Sequence, residues 1–429
     1  MGDVVLVAAG GTGGHVFPGL ATAHALAAAR PDLDIEFVGT ADRLEARLVP
    51  DAGFRLHTVP AMALSRRLSP ATVRLPGVLL GAVRRVVRLI RERHVIAAVG
   101  FGGYTSVPLA LAARVTGTAL VVHEQNAVPG VANRLAGRLA AVVAVSFPEA
   151  ATGFGGTRTV LTGNPVRPDL LAAVAGSAQE RGSARSGPPS PDGEVRRDPG
   201  AGGQDDDDPI ATAAGIRDAL RPEALRTFGL DPARRTLLVF GGSQGALRIN
   251  TAITQSVAAW TEPGRLQVLH AAGARTHADT RAAWQAAGVD PDGATADGDL
   301  KVVCREFIDR MDLAYAAADV VVCRAGASSI AELTALAIPA VMVPYPHATA
   351  DHQTANARAV ARAGGAVVVP DADLDAAALV RAAEPLLLDD DRHLAMREGS
   401  ASFGRPDAAR ALAALVLEVA DDRPPTEGP

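Results

Sequence analysis

Three segments of this sequence share one physical form: an apolar strand, a loop of glycine and other small residues, and the start of a helix. The first is Val5-Leu6-Val7-Ala8-Ala9-Gly10-Gly11-Thr12-Gly13-Gly14-His15. The second is Leu238-Val239-Phe240-Gly241-Gly242-Ser243-Gln244-Gly245-Ala246, and the third is Val320-Val321-Val322-Cys323-Arg324-Ala325-Gly326-Ala327-Ser328-Ser329. Glycine permits positive φ and lets a ligand approach the backbone closely. The helix that follows presents unpaired N–H groups and the positive end of its dipole. The chemistry these features suit is the binding of an anion such as a phosphate. One such loop is equally well a tight strand-to-helix turn. Three in one chain, at equivalent places, point to a ligand.

The loops also exclude some chemistries. Counting from Gly11 and Gly13, the third glycine of a dinucleotide fingerprint would fall at Val16, and Glu36 lies inside the next strand rather than at its end. There is no Walker A pattern. A dinucleotide oxidoreductase and an ATPase of that type are both disfavoured.

The loops need elements to hold them. Short apolar runs at Val4–Ala8, Ile35–Val38, Ala97–Val99, Leu120–Val122 and Val142–Val145 read as buried strands separated by helical stretches. The alternation restarts at Thr236–Phe240 and continues through Leu266–His270, Val320–Val322, Ala340–Val343 and Ala366–Val369. Strands alternating with helices predict α/β architecture, here two doubly wound parallel-sheet, Rossmann-like domains. Between them, residues 176–215 hold eight Gly, five Pro and eight acidic residues with no aromatic. Such a segment buries too little apolar surface to offset its ordering entropy. The expected organisation is an N-terminal domain over 1–168, a linker over 169–235 containing a disordered acidic insertion at 176–215, and a C-terminal domain over 236–429 whose last helix can return to the first.

The 429 residues are 48% hydrophobic and carry a formal net charge of −5, which argues against a nucleic-acid-coating protein. The charge is uneven: residues 1–168 sum to +7 and residues 216–429 to −7. Cys304 and Cys323 are the only cysteines, which suits a reduced, cytoplasmic compartment. The uncharged stretches Val4–Ala29 and Val95–Ala113 are broken by glycines and, in the second, Pro108, so neither a signal peptide nor a transmembrane helix is expected.

Longer motifs sharpen the reading. Gly10-Gly11-Thr12-Gly13-Gly14-His15-Val16-Phe17-Pro18-Gly19 resembles the opening of the MurG family of bacterial glycosyltransferases. So do Gly100-Phe101-Gly102-Gly103-Tyr104, His123-Glu124-Gln125-Asn126 and Gly163-Asn164-Pro165-Val166-Arg167. In the second half, Gly241–Gly245, Glu306-Phe307-Ile308, Arg324-Ala325-Gly326-Ala327 and Asp351-His352-Gln353-Thr354-Ala355-Asn356-Ala357 follow in the family's order. The resemblance covers most of residues 4–365; residues 176–215 and the overall acidity depart from it without touching a motif.

The resemblance implies a GT-B architecture, two Rossmann-like domains facing across a cleft. It implies a hexosyltransferase that moves N-acetylglucosamine, with inversion, from UDP-N-acetylglucosamine to the C4 hydroxyl of an undecaprenyl-pyrophosphoryl muramyl-pentapeptide in peptidoglycan synthesis. No cofactor and no metal are implied. The location implied is peripheral, on the cytoplasmic face of the cell membrane, with partners among cell-wall and division proteins.

The reaction builds negative charge on the leaving UDP, so helix N-termini and hydroxyl or amide donors must meet the diphosphate. Ser243 and the turn Ala327–Ser329, with Ile330 and Ala331 behind it, are carried over as donor contacts. Glu332, about one helical turn after Ser328, resembles the carboxylate that accepts both ribose hydroxyls; a first-turn glutamate favouring the dipole is the plainer alternative. Ile308 resembles the residue whose backbone reads the uracil, and Gln353 and Asn356 resemble readers of sugar hydroxyls. From the first domain, Thr12, Gly13, Gly14, Asn126 and Arg167 are carried over as donor contacts. The attacking hydroxyl needs a base. His15, with an ordinary pKa of about 6.5, is the candidate, and Glu124 is the competing one.

Residues 65–93 contain eight Arg and one Glu, interleaved with Leu79, Val83, Val86, Val87 and Ile90. This reads as a basic amphipathic surface suited to anionic lipid headgroups. An amphipathic helix packed on the sheet, with solvated arginines, is the structural alternative. Rival functions are another GT-B enzyme using the same donor, such as a UDP-N-acetylglucosamine 2-epimerase or a natural-product glycosyltransferase, and a non-catalytic scaffold.

Overall fold

The computed structural model describes residues 2–60, 70–167, 170, 209–242 and 246–422. The first domain is a seven-stranded sheet in the order β3-β2-β1-β4-β5-β6-β7, parallel throughout. Its strands are β1 (Val4–Ala8), β2 (Asp34–Gly39), β3 (Arg55–Thr58), β4 (Val95–Gly100), β5 (Ala119–Glu124), β6 (Val142–Val145) and β7 (Thr159–Leu161). The helices between them are α1 (Gly13–Ala29), α2 (Glu45–Asp51), α3 (Pro70–Glu92), α4 (Gly103–Thr116) and α5 (Val131–Gly137).

The second domain is a six-stranded parallel sheet in the order β10-β9-β8-β11-β12-β13. Its strands are β8 (Arg235–Phe240), β9 (Leu266–Ala271), β10 (Lys301–Arg305), β11 (Val320–Cys323), β12 (Ala340–Met342) and β13 (Ala366–Val368). Its helices are α6 (Pro209–Phe228), α7 (Leu247–Thr254), α8 (His277–Ala286), α9 (Met311–Ala317), α10 (Ala327–Ala335), α11 (His352–Arg362), α12 (Ala376–Leu388) and α13 (Asp390–Phe403).

All ten runs read as strands are strands. The three that sequence missed, β3, β7 and β10, are three of the four outer strands; the fourth, β13, was read as a strand. A central strand is covered on both faces and reads as an unbroken apolar run, as in the fully buried β1. An outer strand is covered less, so Arg55, His57 and Lys301 interrupt the pattern. In each sheet the order reverses beside the first strand, between β1 and β4 and between β8 and β11. A crevice at the carboxyl ends of the strands is the usual consequence, and the glycine loops lie at those ends.

The domain boundaries differ from expectation at one point. Helix α6 begins at Pro209, so residues 209–215 are helix and not part of the acidic insertion. Proline is well suited to a first helical turn, and Ala211, Ala213 and Ala214 are strong helix formers. Helix α6 packs on α9, and Ala224, Leu225 and Phe228 join the core that holds Ala314 and Ala317. The second domain therefore starts at α6, ahead of residue 236. The rest of the expected insertion, 176–208, lies outside the described residues.

The final helix, α14 (Ala408–Asp421), crosses to the first domain and packs on α1 and β4. Leu412 and Val416 are fully buried in the core that contains Val5, Phe37 and Val99. Arg158–Glu418 and Arg30–Asp421 ion pairs fasten its outer side.

Candidate active site

The loop after β1 is braced by a carboxylate. Gly11 has φ of 98°, a conformation that disfavours any side chain, and its N–H donates to Glu45 Oε2 at 3.0 Å. The other oxygen of Glu45 accepts from the backbone N–H and hydroxyl of Thr40, at 3.1 and 2.8 Å. Glu45 is fully buried. Desolvation opposes its charge, but these donors prevail and hold its pKa below the usual glutamate value.

The loop after β4 closes onto the first. A Cβ added to Gly103 would sit 2.7 Å from the Gly10 carbonyl oxygen, and one added to Gly102 would sit 3.1 Å from His15 Nε2. Glycine at both positions is what lets the two loops meet around His15. The imidazole is partly exposed to the cleft, and Thr12 Oγ1 lies 3.3 Å from its Nδ1. Burial lowers the His15 pKa, against the opposing effects of a Gly10 backbone hydrogen bond and the Glu45 charge. His15 is therefore neutral at neutral pH, as a base requires. Gly14 differs from its neighbours. An added Cβ there meets nothing nearer than Thr12 Oγ1 at 3.8 Å, so the protein's own packing does not demand the glycine.

Glu124, the competing candidate for the base, has both carboxylate oxygens engaged. Its Oε1 accepts from the N–H and Nδ2 of Asn126 at 2.9 and 3.2 Å, and its Oε2 accepts from the Gly130 N–H and Asn133 Nδ2 at 3.0 and 2.9 Å. A buried carboxylate with four donors braces the 126–133 segment. Beside it, burial pushes His123 down to about 4, so that its neutral ring serves as a hydrogen-bond bridge between Gln125 and the Gly163 carbonyl.

Asn126 and Asn356 join the domains. Asn356 Oδ1 accepts from the Ala127 N–H at 2.8 Å, and its Nδ2 donates to Asn126 Oδ1 at 3.1 Å. Asn356 is completely buried, so here it is an interdomain bridge and not an open reader of sugar hydroxyls. Arg362 and Glu149 form a second cross-domain contact.

In the second domain, α10 starts at Ala327 with no side-chain cap and no acidic residue in its first turn. Ser328 Oγ is buried and meets no hydrogen-bond partner among the described residues. Glu332 lies further along this helix. Tyr315 donates its hydroxyl to Glu332 Oε2 at 2.9 Å, and Arg167 of the first domain donates Nε–H to Glu332 Oε1 at 3.1 Å. The Arg167 guanidinium also lies over the Phe17 ring, 5.4 Å from its centre. Thus two residues singled out separately from the sequence meet across the cleft. Ile308 is buried, whereas its neighbour Phe307 is 59% exposed. Gln353 accepts the Tyr345 N–H at 2.9 Å and lines a cavity of about 870 Å³ with Gly241, Gly242 and Arg324. Asp371 holds Arg324 at 2.5 Å and Arg248 at 3.3 Å. Ser243 lies outside the described residues.

A second cavity, of about 560 Å³, opens directly from His15. Thr12, Asn126 and Tyr104 line one part, Val78, Leu79 and Ala82 of α3 form an apolar wall, and Thr349 and His352 close it from the second domain. Helix α3 turns Ala82, Val86 and Ile90 inward and leaves Arg84, Arg85, Arg88 and Arg91 exposed. Residues 61–69 lie outside the described residues, and with them Arg66 and Arg67 of the basic segment. Among the described residues, no helix is long and apolar enough to cross a membrane.

Sequence reasoning missed Glu45, Asn133 and Tyr315. None of them belongs to a glycine loop. Their only signal is a polar group that the topology buries.

Two Rossmann-like parallel-sheet domains with glycine loops on facing edges define the GT-B architecture. The chain matches the Glycosyltransferase family 28 N-terminal domain over residues 5–145 and the Glycosyltransferase family 28 C-terminal domain over residues 236–412. It is 40% identical to a protein of a Nocardioides species over 97% of this chain and 98% of that protein, and 38% identical to one of Streptomyces coelicolor over 96% and 97%. Both relatives are named UDP-N-acetylglucosamine--N-acetylmuramyl-(pentapeptide) pyrophosphoryl-undecaprenol N-acetylglucosamine transferase. The crystal structure of Acinetobacter baumannii MurG superposes with a TM-score of 0.70 at 26% identity, covering 97% of this chain and all of that one. A UDP-GlcNAc 2-epimerase from Neisseria meningitidis, at a TM-score of 0.62 and 11% identity, shares the fold alone. The chain belongs to the MurG family of glycosyltransferases.

Proposed function

We propose that this protein transfers N-acetylglucosamine from UDP-N-acetylglucosamine to the muramyl C4 hydroxyl of an undecaprenyl-pyrophosphoryl muramyl-pentapeptide, working at an anionic membrane surface. The observation that carries the reading is the placement of His15. A neutral imidazole stands at the mouth of a cavity with an apolar wall, and the other domain closes that cavity. An acceptor with a lipid tail suits such a wall, and a sugar donor suits the opposite domain.

In this reading His15 takes the proton of the acceptor hydroxyl as that oxygen attacks C1 of the donor sugar. The bond from C1 to the diphosphate oxygen breaks, and UDP leaves with the electron pair. The uncapped N-terminus of α10 and the Ser328 hydroxyl, which has no partner among the described residues, face the growing diphosphate charge, worth most in a water-poor cleft. Glu332 takes the ribose hydroxyls, Ile308 supplies backbone to the uracil, and Gln353 meets the sugar. Gly14 leaves room for the donor to approach the first loop. Glu124 positions the Asn126 loop and is not the base.

The exposed arginines of α3, with Leu80 and Tyr104 exposed nearby in the same domain, form the lipid-facing side. Purified protein incubated with labelled UDP-N-acetylglucosamine and a short-chain lipid-linked muramyl-pentapeptide should yield the disaccharide product, with or without EDTA. Absence of product overturns the assignment. Loss of product with EDTA overturns only its metal-free chemistry.

A further inference from the structure

Helix α11 meets the first domain at three places along its length. His352, at its start, helps close the cavity that opens from His15. Arg362, at its end, pairs with Glu149. Between them Asn356, about one turn after His352, is completely buried against Asn126 and Ala127. Its Nδ2 also reaches the Ala325 carbonyl oxygen at 3.4 Å, in the loop that leads into α10.

The polarity of this chain of amides is set from both ends. At one end the Ala127 N–H can only donate, so it takes the Asn356 oxygen and turns the Asn356 amide nitrogen toward Asn126. At the other end the Glu124 carboxylate accepts, so it takes the Asn126 amide nitrogen at 3.2 Å and turns the Asn126 oxygen toward Asn356. The last torsion of an asparagine side chain is broad, and an amide on a cavity wall has no preferred orientation of its own. Asn126 lines the cavity beside His15, and its amide is held at both ends.

We propose that Asn356 is a positioning residue for the transfer. It orients the Asn126 amide on the cavity wall and ties that wall to the loop that opens α10. One buried side chain thus sets the acceptor side and the donor side relative to each other, and it acts through Asn126. The proposal rests on the reading of the cavity beside His15 as the acceptor's place.

Asn356→Asp in the full chain is the discriminating substitution. It keeps the shape and an acceptor for the Ala127 N–H, and it removes the donor to Asn126. In transfer assays with labelled UDP-N-acetylglucosamine and a short-chain lipid-linked muramyl-pentapeptide, kcat should fall about tenfold, the scale of one buried polar group left unpaired. Calorimetric affinity for UDP should stay at the parent value. Asn126→Ala should lower kcat as well, and adding Asn356→Asp to it should cost nothing further. A second loss of full size in the double variant overturns the proposal, because Asn356 then acts independently of Asn126, as a reader of sugar hydroxyls would. Equal losses of UDP affinity and kcat in Asn356→Asp also overturn it, because the residue then serves the integrity of the second domain. No product from the unsubstituted protein overturns the reaction itself, and the positioning role with it.

Discussion

The two halves of the cleft treat their glycine loops differently. In the first domain the loop's own N–H and backbone are held by the protein: Glu45 takes the Gly11 N–H, Gly103 packs on Gly10, and Glu124 takes four donors of the neighbouring segment. In the second domain no such brace is seen among the described residues: Ser328 lacks a partner there, and Glu332, on the helix after the loop, holds a residue of the other domain. A site that must aim a base needs rigidity before substrate arrives, and buried carboxylates supply it. A site that must take up and release a nucleotide keeps donors in reserve, and part of its order comes from the ligand.

This contrast can be broken at several points. The largest effect should follow His15→Ala: kcat falls about 10²- to 10⁴-fold with donor affinity little changed, as single-turnover and titration measurements would show. If donor affinity falls instead, His15 is a binding residue. Because its pKa is lowered, the acid limb of the kcat profile should lie below the ordinary histidine value of about 6.5.

Next is Glu45→Gln, which sets an amide donor against donors and should cost roughly 2–4 kcal/mol in urea unfolding. Glu45 has a depressed folded pKa. Its stabilisation is therefore complete above the unfolded glutamate pKa and is lost as pH falls through the folded value. The stability gap between parent and variant should close in acid. A gap that persists there would mean that packing, not charge, braces the loop.

Neutralising Arg84, Arg85, Arg88 and Arg91 together should abolish low-salt co-sedimentation with anionic vesicles, while turnover of a short-chain soluble acceptor stays near the parent value. Undiminished sedimentation would remove α3 from the membrane surface. The smallest effect should come from Gly14→Ala. Melting temperature should hold, because the added methyl has room, while donor KM rises severalfold, on the order of 1 kcal/mol. An unchanged KM would place the donor away from this loop.

What was legible in the sequence follows burial. Central strands, covered on both faces, announced themselves as apolar runs, whereas β3, β7 and β10 did not. Loop glycines were legible because backbone geometry leaves few alternatives. Arg167 and Glu332 could be singled out but not paired, since 165 residues separate them and only the packing of one domain on the other brings them together. Asn356 shows the converse: a motif position suggested a sugar contact, and the fold uses its amide to bridge the domains. Glu45 was illegible because a glutamate opening a short helix usually needs no further explanation.

The return of α14 has a consequence in time. A chain made from its N-terminus presents β1 to β7 long before residues 408–421 exist. Until then the face of the first sheet that Leu412 and Val416 cover is bare, and burying side chains of this kind stabilises by about 1.5–3 kcal/mol each. The first domain to be synthesised is thus the last to be finished. Its completion waits on the second, so a lesion near residue 412 would be felt in the domain that carries His15.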